Sequence, residues 1–197
     1  MNNLVALIIA SSVLVMIPGP NVALIVANSL KYGFRMGAAT VFGTTMGVAA
    51  QLLLVVFGLA AVMTLASEAL MWVKWAGVAY LIYLGIRTWR EPADDLGAVE
   101  AAPAMFWRGF IVAVLNPKTL LFNAAFIPQF VGGGEAGIAR IALVAAVFLA
   151  VLLVGDLLWA AFASKARRAI ARYGRLRNRV TGVFLTVAGV GLALSRG

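Results

Sequence analysis

The feature that most constrains this chain is a pair of proline breaks inside two hydrophobic segments. The first segment contains Pro18-Gly19-Pro20-Asn21 and the fourth contains Asn116-Pro117-Lys118, at corresponding positions in the two halves. Proline frees the backbone carbonyl four residues earlier, and in lipid a freed carbonyl must be satisfied by protein or by a water-lined cavity. Matching interruptions in two halves are typical of a transporter's binding site, so the pattern indicates a small solute carrier.

Composition indicates that the whole chain lies in a membrane. Of the 197 residues, 63% are hydrophobic and 12% are charged, and the mean hydropathy of +1.01 exceeds the range of soluble proteins. Six apolar segments are predicted, each near the roughly 20 residues that cross a bilayer. They cover about residues 4–28, 37–65, 70–88, 108–130, 138–163 and 180–195. The fourth segment is compatible with a full crossing or with a re-entrant loop.

A weak internal sequence repeat predicts how the segments are arranged. Residues 74–78 resemble residues 179–183, and the same offset aligns Gln51 with Asp156. Because three spans per copy is an odd number, the second copy must be inverted in the membrane. We therefore predict an all-α integral membrane protein with six transmembrane helices in two inverted three-helix repeats. The single transmembrane domain, 1–197, would consist of half-repeats at about 1–90 and 105–197 joined by a linker at about 91–105.

Glycines inside the second segment predict close helix packing. Gly43 and Gly47 are four residues apart and therefore lie on one face of a helix. Small residues on one face let two backbones approach closely. A smooth lining for a narrow substrate path is the alternative interpretation of this face.

The distribution of Lys and Arg predicts the orientation in the membrane. Most of the 16 Lys and Arg fall in the first, third and fifth loops, and such loops face the cytoplasm. The opposite side carries only Lys74, Arg140 and Arg196, so both termini are expected outside. The basic fifth loop, 165–179, is interpreted as an anchor on anionic membrane lipids and not as a nucleic-acid site.

The residue types that are missing exclude several kinds of chemistry. The chain has no Cys and no His, so disulfides, thiolate metal sites and histidine proton carriers are excluded, and we expect no metal and no cofactor. Asp156 is the only acid deep inside a segment, whereas intramembrane aspartyl catalysis needs two carboxylates. An enzyme is therefore not expected. A passive channel or a membrane scaffold is the alternative to a carrier.

Two charges lie deep inside apolar segments. Lys118 is about ten residues from either end of its segment, roughly 15 Å, which is too far for its ammonium to reach water along the stem. Placing that charge at the bilayer centre costs at least ~2.5 kcal/mol. Asp156 poses the same problem with the opposite sign. Either the two form a structural salt bridge, or at least one of them binds substrate or a proton.

Several motifs, spread over nearly the whole chain, carry a family resemblance. In their order and spacing they resemble the LysE/RhtB family of bacterial amino-acid exporters. The motifs are Pro18-Gly19-Pro20-Asn21, the run from Lys74 to Gly85, the run from Asn116 to Phe122, Pro128-Gln129-Phe130-Val131 and Asp156-Leu157-Leu158-Trp159. Asn123 differs from the apolar or aromatic residue expected there, and Gln51 stands at a position that varies in the family.

The resemblance implies a secondary transporter of the bacterial inner membrane. It would export an amino acid or a close derivative from the cytoplasm by proton exchange, as a multi-pass protein whose oligomeric state the sequence leaves open. The candidate substrate-binding residues are Pro18, Gly19, Pro20, Asn21, Asn116, Pro117, Lys118 and Asn123.

Elementary chemistry assigns roles within that set. The half-helix after the first break would direct its N–H groups at a substrate carboxylate, and Lys118 would add a charge-assisted bond to it. Asp156 would accept the substrate ammonium or carry the exchanged proton. Gln51 is a candidate polar group of the cavity, and the freed carbonyls of Leu14, Met16 and Ala113 are further candidates for the ammonium.

Overall fold

The described chain is helical, which confirms the predicted all-α class. The structure is a computed structural model and describes residues 2–90, 101–125, 127–131, 138–170 and 174–194. Its helices are α1 (Asn2–Met16), α2 (Pro20–Tyr32), α3 (Phe34–Arg90), α4 (Ala102–Val114), α5 (Pro117–Ala125), α6 (Ile127–Val131), α7 (Ile138–Ile170) and α8 (Gly174–Leu194). Most of the predicted linker at 91–105 lies outside the described residues. The grouping into two inverted repeats stays a prediction.

Apolar helices make this a multi-pass membrane protein. Within the described residues, Phe34–Val55 and Ile138–Arg167 are each long and apolar enough to cross a membrane. Two bent pairs raise the count to four if each pair is one span and not a re-entrant loop: α1 with α2, bent by 57°, and α4 with the helices that follow Pro117, bent by 54°. Arg179–Leu194 is a shorter apolar helix. The two bends fall at the proline breaks of the first and fourth predicted segments.

The second and third predicted segments lie in one helical element. α3 runs from Phe34 to Arg90, but it is not straight. Gly47 packs against Ala113 and Gly77 packs against Leu115, although a straight helix would hold these two glycines about 45 Å apart. α3 therefore folds back on itself between them.

Glycine permits the close approach of α3 to α4, as predicted. A Cβ on Gly43 would meet the backbone carbonyl of Phe106, and one on Gly109 would meet the carbonyl of Thr40. These contacts are with backbone atoms, which cannot rotate away as a flexible side chain can. They fix α3 against α4, the helix that leads into the second break.

Replacing Gly43 with Ala is expected to lower the stability of the protein. The added methyl would push α3 away from the Phe106 carbonyl, and such overpacking costs about 1–3 kcal/mol. Gly191 is the matched control, because nothing lies within 4 Å of its Cβ position. Gly191→Ala should be neutral or should stabilise α8 by about 0.5–1 kcal/mol. Melting temperatures in detergent compare the two; equal melting temperatures would contradict the packing role of Gly43.

Candidate functional site

The two proline breaks are in direct contact. Asn116 Nδ2 donates a hydrogen bond of 2.9 Å to Asn21 Oδ1, and both side chains are buried. Asn21 follows Pro20 at the start of α2, and Asn116 precedes Pro117 at the start of α5. Pro20 and Pro117 are thus each the first residue of a half-helix. The two halves of the chain meet where the sequence predicts their corresponding breaks.

The start of α2 presents unpaired backbone donors. Gly19 is the N-cap in an extended conformation and Pro20 has no N–H. Ala23 N bonds Gly19 O at 2.8 Å. The N–H groups of Asn21 and Val22 precede the first intrahelical bond, so α2 itself offers them no acceptor. This end of α2 carries the positive end of the helix dipole and favours an anion.

The Lys118 side chain bonds backbone carbonyls on the α1 side of the first break. Its Nζ donates to Leu14 O at 2.7 Å and to Ile17 O. Leu14 O is a carbonyl that Pro18 frees, at the negative end of the α1 dipole. The sequence assigned this carbonyl to a substrate ammonium; the structure places the lysine ammonium there instead. A freed carbonyl in apolar surroundings needs a donor, and Lys118 supplies it.

Gln51 caps the second break in the same manner. Its Nε2 donates to Ala113 O at 2.8 Å, to Val114 O at 3.1 Å and to Asn116 O at 3.2 Å. Its Oε1 accepts a bond of 3.3 Å from Asn123 Nδ2. The carbonyl freed by Pro117 is therefore also bonded within the protein. The predicted contacts of Gln51 and Asn123 with substrate stay predictions, since neither lines the cavity at the breaks.

A small cavity lies where the breaks meet. It is lined by Gly19, Asn21, Asn116, Lys118 and Asp156, together with Leu14, Val15, Val22, Thr119 and Leu152. Its volume of about 20 Å³ holds a water-sized group only. The structure thus brings together the predicted asparagines and both deep charges, and an amino acid would fit only after the helices separate. We refer to it as the central cavity.

Asp156 reaches the central cavity from α7. It is 5% exposed, and Lys118 and the Thr44 hydroxyl of α3 are close enough to influence its charge. The two deep charges share the cavity, yet the hydrogen bonds of Lys118 described above go to carbonyls of the α1 end, and the Thr44 hydroxyl donates to Val41 O at 2.9 Å. The acid therefore lines the same cavity as the start of α2, where that helix presents its donors.

Sequence reasoning missed Trp159 as part of this site. Its Nε1 donates to Val15 O at 3.2 Å, which satisfies another carbonyl at the end of α1. Trp159 follows Asp156 by three residues and so lies on the same face of α7. The three-residue spacing between Asp156 and Trp159, within one motif, could have identified Trp159 from the sequence.

Comparison with known proteins gives a family and several relatives. The family model described as LysE type translocator matches residues 12–196. The chain is 28% identical over 200 residues to the homoserine/homoserine lactone efflux protein of Salmonella typhi, which covers 97% of this chain and 96% of that protein. It is 27% identical over 178 residues to the cysteine/O-acetylserine efflux protein of Escherichia coli (strain K12), with 89% of each chain covered. An uncharacterized membrane protein of Bacillus subtilis (strain 168), YrhP, is 26% identical over 210 residues, which cover 99% of this chain and 100% of that protein. No solved structure matches the chain significantly.

Proposed function

The chain belongs to the LysE type translocator family, and from this premise we propose that it exports an amino acid or a close derivative from the cytoplasm in exchange for protons. It is a transporter and not an enzyme. The observation that carries the proposed mechanism is the meeting of both proline breaks, Lys118 and Asp156 around the central cavity. These features come from α2, α5 and α7, so movement of any of these helices changes the site.

The names of the similar proteins narrow the chemistry of the substrate. They refer to homoserine, homoserine lactone, cysteine and O-acetylserine. All four compounds carry an α-amino group, whereas the lactone has no free carboxylate. The group that such substrates share is the ammonium, and Asp156, the carboxylate among the residues that line the central cavity, would receive it. We therefore propose Asp156 as the principal recognition group.

The carboxylate or ester oxygen of the substrate would lie at the start of α2. The N–H groups of Asn21 and Val22 lie at the positive end of the dipole of α2, which attracts negative charge. Lys118 has three N–H donors, and two of them hold Leu14 O and Ile17 O. Its third N–H would complete the oxyanion contact, so Lys118 would link substrate binding to the geometry of the first break.

Proton exchange would follow from competition at one carboxylate. Asp156 can hold a proton or pair with an ammonium, but not both at once. Binding of a proton from outside would therefore release the substrate there, and binding of substrate inside would release the proton. Because the proton and the substrate exclude each other from one carboxylate, binding of either is coupled to release of the other.

We further propose six spans with both termini outside, in a bacterial inner membrane. Basic residues of three loop regions gather at one end of the bundle, which supports this orientation. Lys31, Arg87 and Arg108 line one cavity, and Arg167 packs beside Gly33. Concentrated Lys and Arg mark the cytoplasmic end.

Single cysteines at the two ends of α7 are expected to react differently with an impermeant thiol reagent added to intact cells. Ile138 and Ala166 are both exposed side chains near opposite ends of this helix, and the natural chain has no Cys. Ile138→Cys should be labelled from outside and Ala166→Cys should be protected until the cells are opened. If Ala166→Cys is labelled in intact cells and Ile138→Cys is not, the orientation is the opposite of the one proposed.

Amino-acid pools test the transport activity in cells. Cells that express the protein should lower the intracellular amount, and raise the extracellular amount, of at least one amino acid or derivative with a free amino group. Cells that express Asp156→Asn at the same membrane abundance are the matched control. Unchanged pools across a panel that includes the four compounds named above would contradict export and favour a scaffold.

A further inference from the structure

A second cavity lies at the other end of α2. It is lined by Lys31, Arg87, Arg108, Asn28 and Thr181, with Leu24, Ala27, Tyr32, Leu84, Thr88 and Leu185 completing the wall. Its volume is about 20 Å³, enough for one oxygen-sized group. We refer to it as the basic-end cavity. The central cavity shares none of these residues.

Three cations from three helices converge on this cavity. Lys31 comes from the end of α2, Arg87 from the end of α3 and Arg108 from α4. Lys31 Nζ lies 4.8 Å from the centroid of the ring of Tyr32, which also lines the cavity. Cationic side chains from separate helices that line one cavity can donate charge-assisted hydrogen bonds to a single oxyanion group.

The buried hydroxyl of Thr181 is a second, independent indication that the basic-end cavity binds a ligand. Thr181 lines the basic-end cavity and is 2% exposed. Its Oγ1 is buried and has no hydrogen-bond partner among the described residues. A buried hydroxyl is nearly always paired, so an orphan of this kind calls for an explanation. An anionic oxygen in the cavity would give the hydroxyl its missing acceptor.

An apolar layer separates the two cavities. Leu24 packs with Val78, Val112 and Leu185 in one buried cluster. On α2, Asn21 lines the central cavity and Asn28 lines the basic-end cavity. These two asparagines are seven residues apart, about 10 Å along one helix face. The basic-end cavity is therefore a distinct site, one apolar layer away from the central one.

We propose that the basic-end cavity is an anion site that binds one oxyanion group through Lys31, Arg87, Arg108 and the hydroxyl of Thr181. The group is a carboxylate of a free small molecule or the phosphate of a lipid headgroup, which share the same recognition chemistry. The cavity takes one oxygen of the charged group, and the rest of the molecule lies outside it. The site stands whether or not the central cavity exchanges protons.

Binding to purified protein in nanodiscs of neutral phosphatidylcholine tests this site without any transport step. The probes are acetate, inorganic phosphate and a short-chain phosphatidylglycerol, and the readouts are melting temperature and native mass spectrometry. At least one probe should bind and raise the melting temperature of the wild type. Binding of acetate or inorganic phosphate identifies a small anion as the ligand, whereas binding of phosphatidylglycerol alone identifies a lipid headgroup.

Thr181→Val is the decisive variant. Because Thr181 Oγ1 has no hydrogen-bond partner among the described residues, the variant should melt at the wild-type temperature or above it when no anion is added. It should need roughly tenfold more of the same probe, as expected for loss of a hydrogen bond to a charged group. Thr186→Val is the matched control, since Thr186 Oγ1 already donates to Gly182 O at 2.9 Å on the same helix. Its probe affinity should equal that of the wild type.

A second pair of variants, each of which removes one positive charge, tests the cations of the site. Arg108→Gln should weaken probe binding, while Arg140→Gln should not, because Arg140 donates to Phe130 O away from the basic-end cavity. The proposal is overturned if no probe binds the wild type, or if Thr181→Val binds the probe as tightly as the wild type does. It is also overturned if Arg140→Gln and Arg108→Gln weaken binding equally, since the effect would then be that of net charge.

Discussion

Asp156→Asn is expected to abolish proton-driven export while the protein remains inserted and folded. Asn has the size of Asp and still forms hydrogen bonds, but it can neither ionise nor carry a proton. Losing the charge-assisted bond to the substrate ammonium weakens binding by about 1.5–3 kcal/mol, roughly tenfold to a hundredfold. Losing the exchangeable proton removes the driving force altogether. Export should be measured at matched membrane abundance and at several external pH values.

Two comparisons separate the roles of Asp156. Asp156→Glu keeps a titratable carboxylate and should retain part of the export, which a loss of packing alone would not explain. Exchange of labelled for unlabelled substrate needs no net proton movement. Asp156→Asn should lose this exchange as well if the acid pairs with the ammonium, and should keep it if the acid carries only the proton. Wild-type export by Asp156→Asn would assign Asp156 a purely structural role.

Lys118→Met is expected to impair both transport and stability. The sequence alone favoured an effect on transport far larger than the effect on folding, because Met refills the apolar volume. The structure revises this expectation, since Lys118 Nζ satisfies Leu14 O and Ile17 O. Each carbonyl left unsatisfied costs about 1–3 kcal/mol. The melting temperature should therefore fall, and the apparent affinity for free amino acids should fall tenfold or more.

Substrate analogues and a double variant test what Lys118 does. A lactone or carboxyl-amidated analogue has no anion, so its transport should respond less to Lys118→Met than transport of the free amino acid does. Lys118→Arg keeps a cationic donor and should keep the stability of the break. If Lys118→Met combined with Asp156→Asn recovers the transport that each single change loses, Lys118 is the salt-bridge partner of Asp156. The carboxylate contact would then be wrong.

The sequence predicts the breaks and the cavity well because proline acts locally. Pro18 and Pro117 each determine which carbonyl is freed, and the depth of a charged side chain follows from counting residues. The sequence does not predict which donor reaches each freed carbonyl. Lys118 bonds Leu14 O and Gln51 bonds Ala113 O, across separations of 104 and 62 residues. Such partners depend on how the two halves approach each other, which no local pattern encodes.

The second and third segments show what an apolar pattern does predict. Two apolar runs predict two passes along the bundle, and the packing of Gly47 against Ala113 and of Gly77 against Leu115 agrees with two passes. The position of the turn between the two passes stays a prediction.

Flux into liposomes that contain only the purified protein tests the central claim most directly. With an acidic interior and, outside, the labelled amino acid or derivative whose cellular pool the protein changes, proton exchange predicts uptake above the external concentration, together with a rise in internal pH. A protonophore, or the Asp156→Asn variant, should reduce this uptake to the level of protein-free liposomes. Uptake that stops at equal concentrations and does not respond to the proton gradient would contradict the account and identify a passive channel.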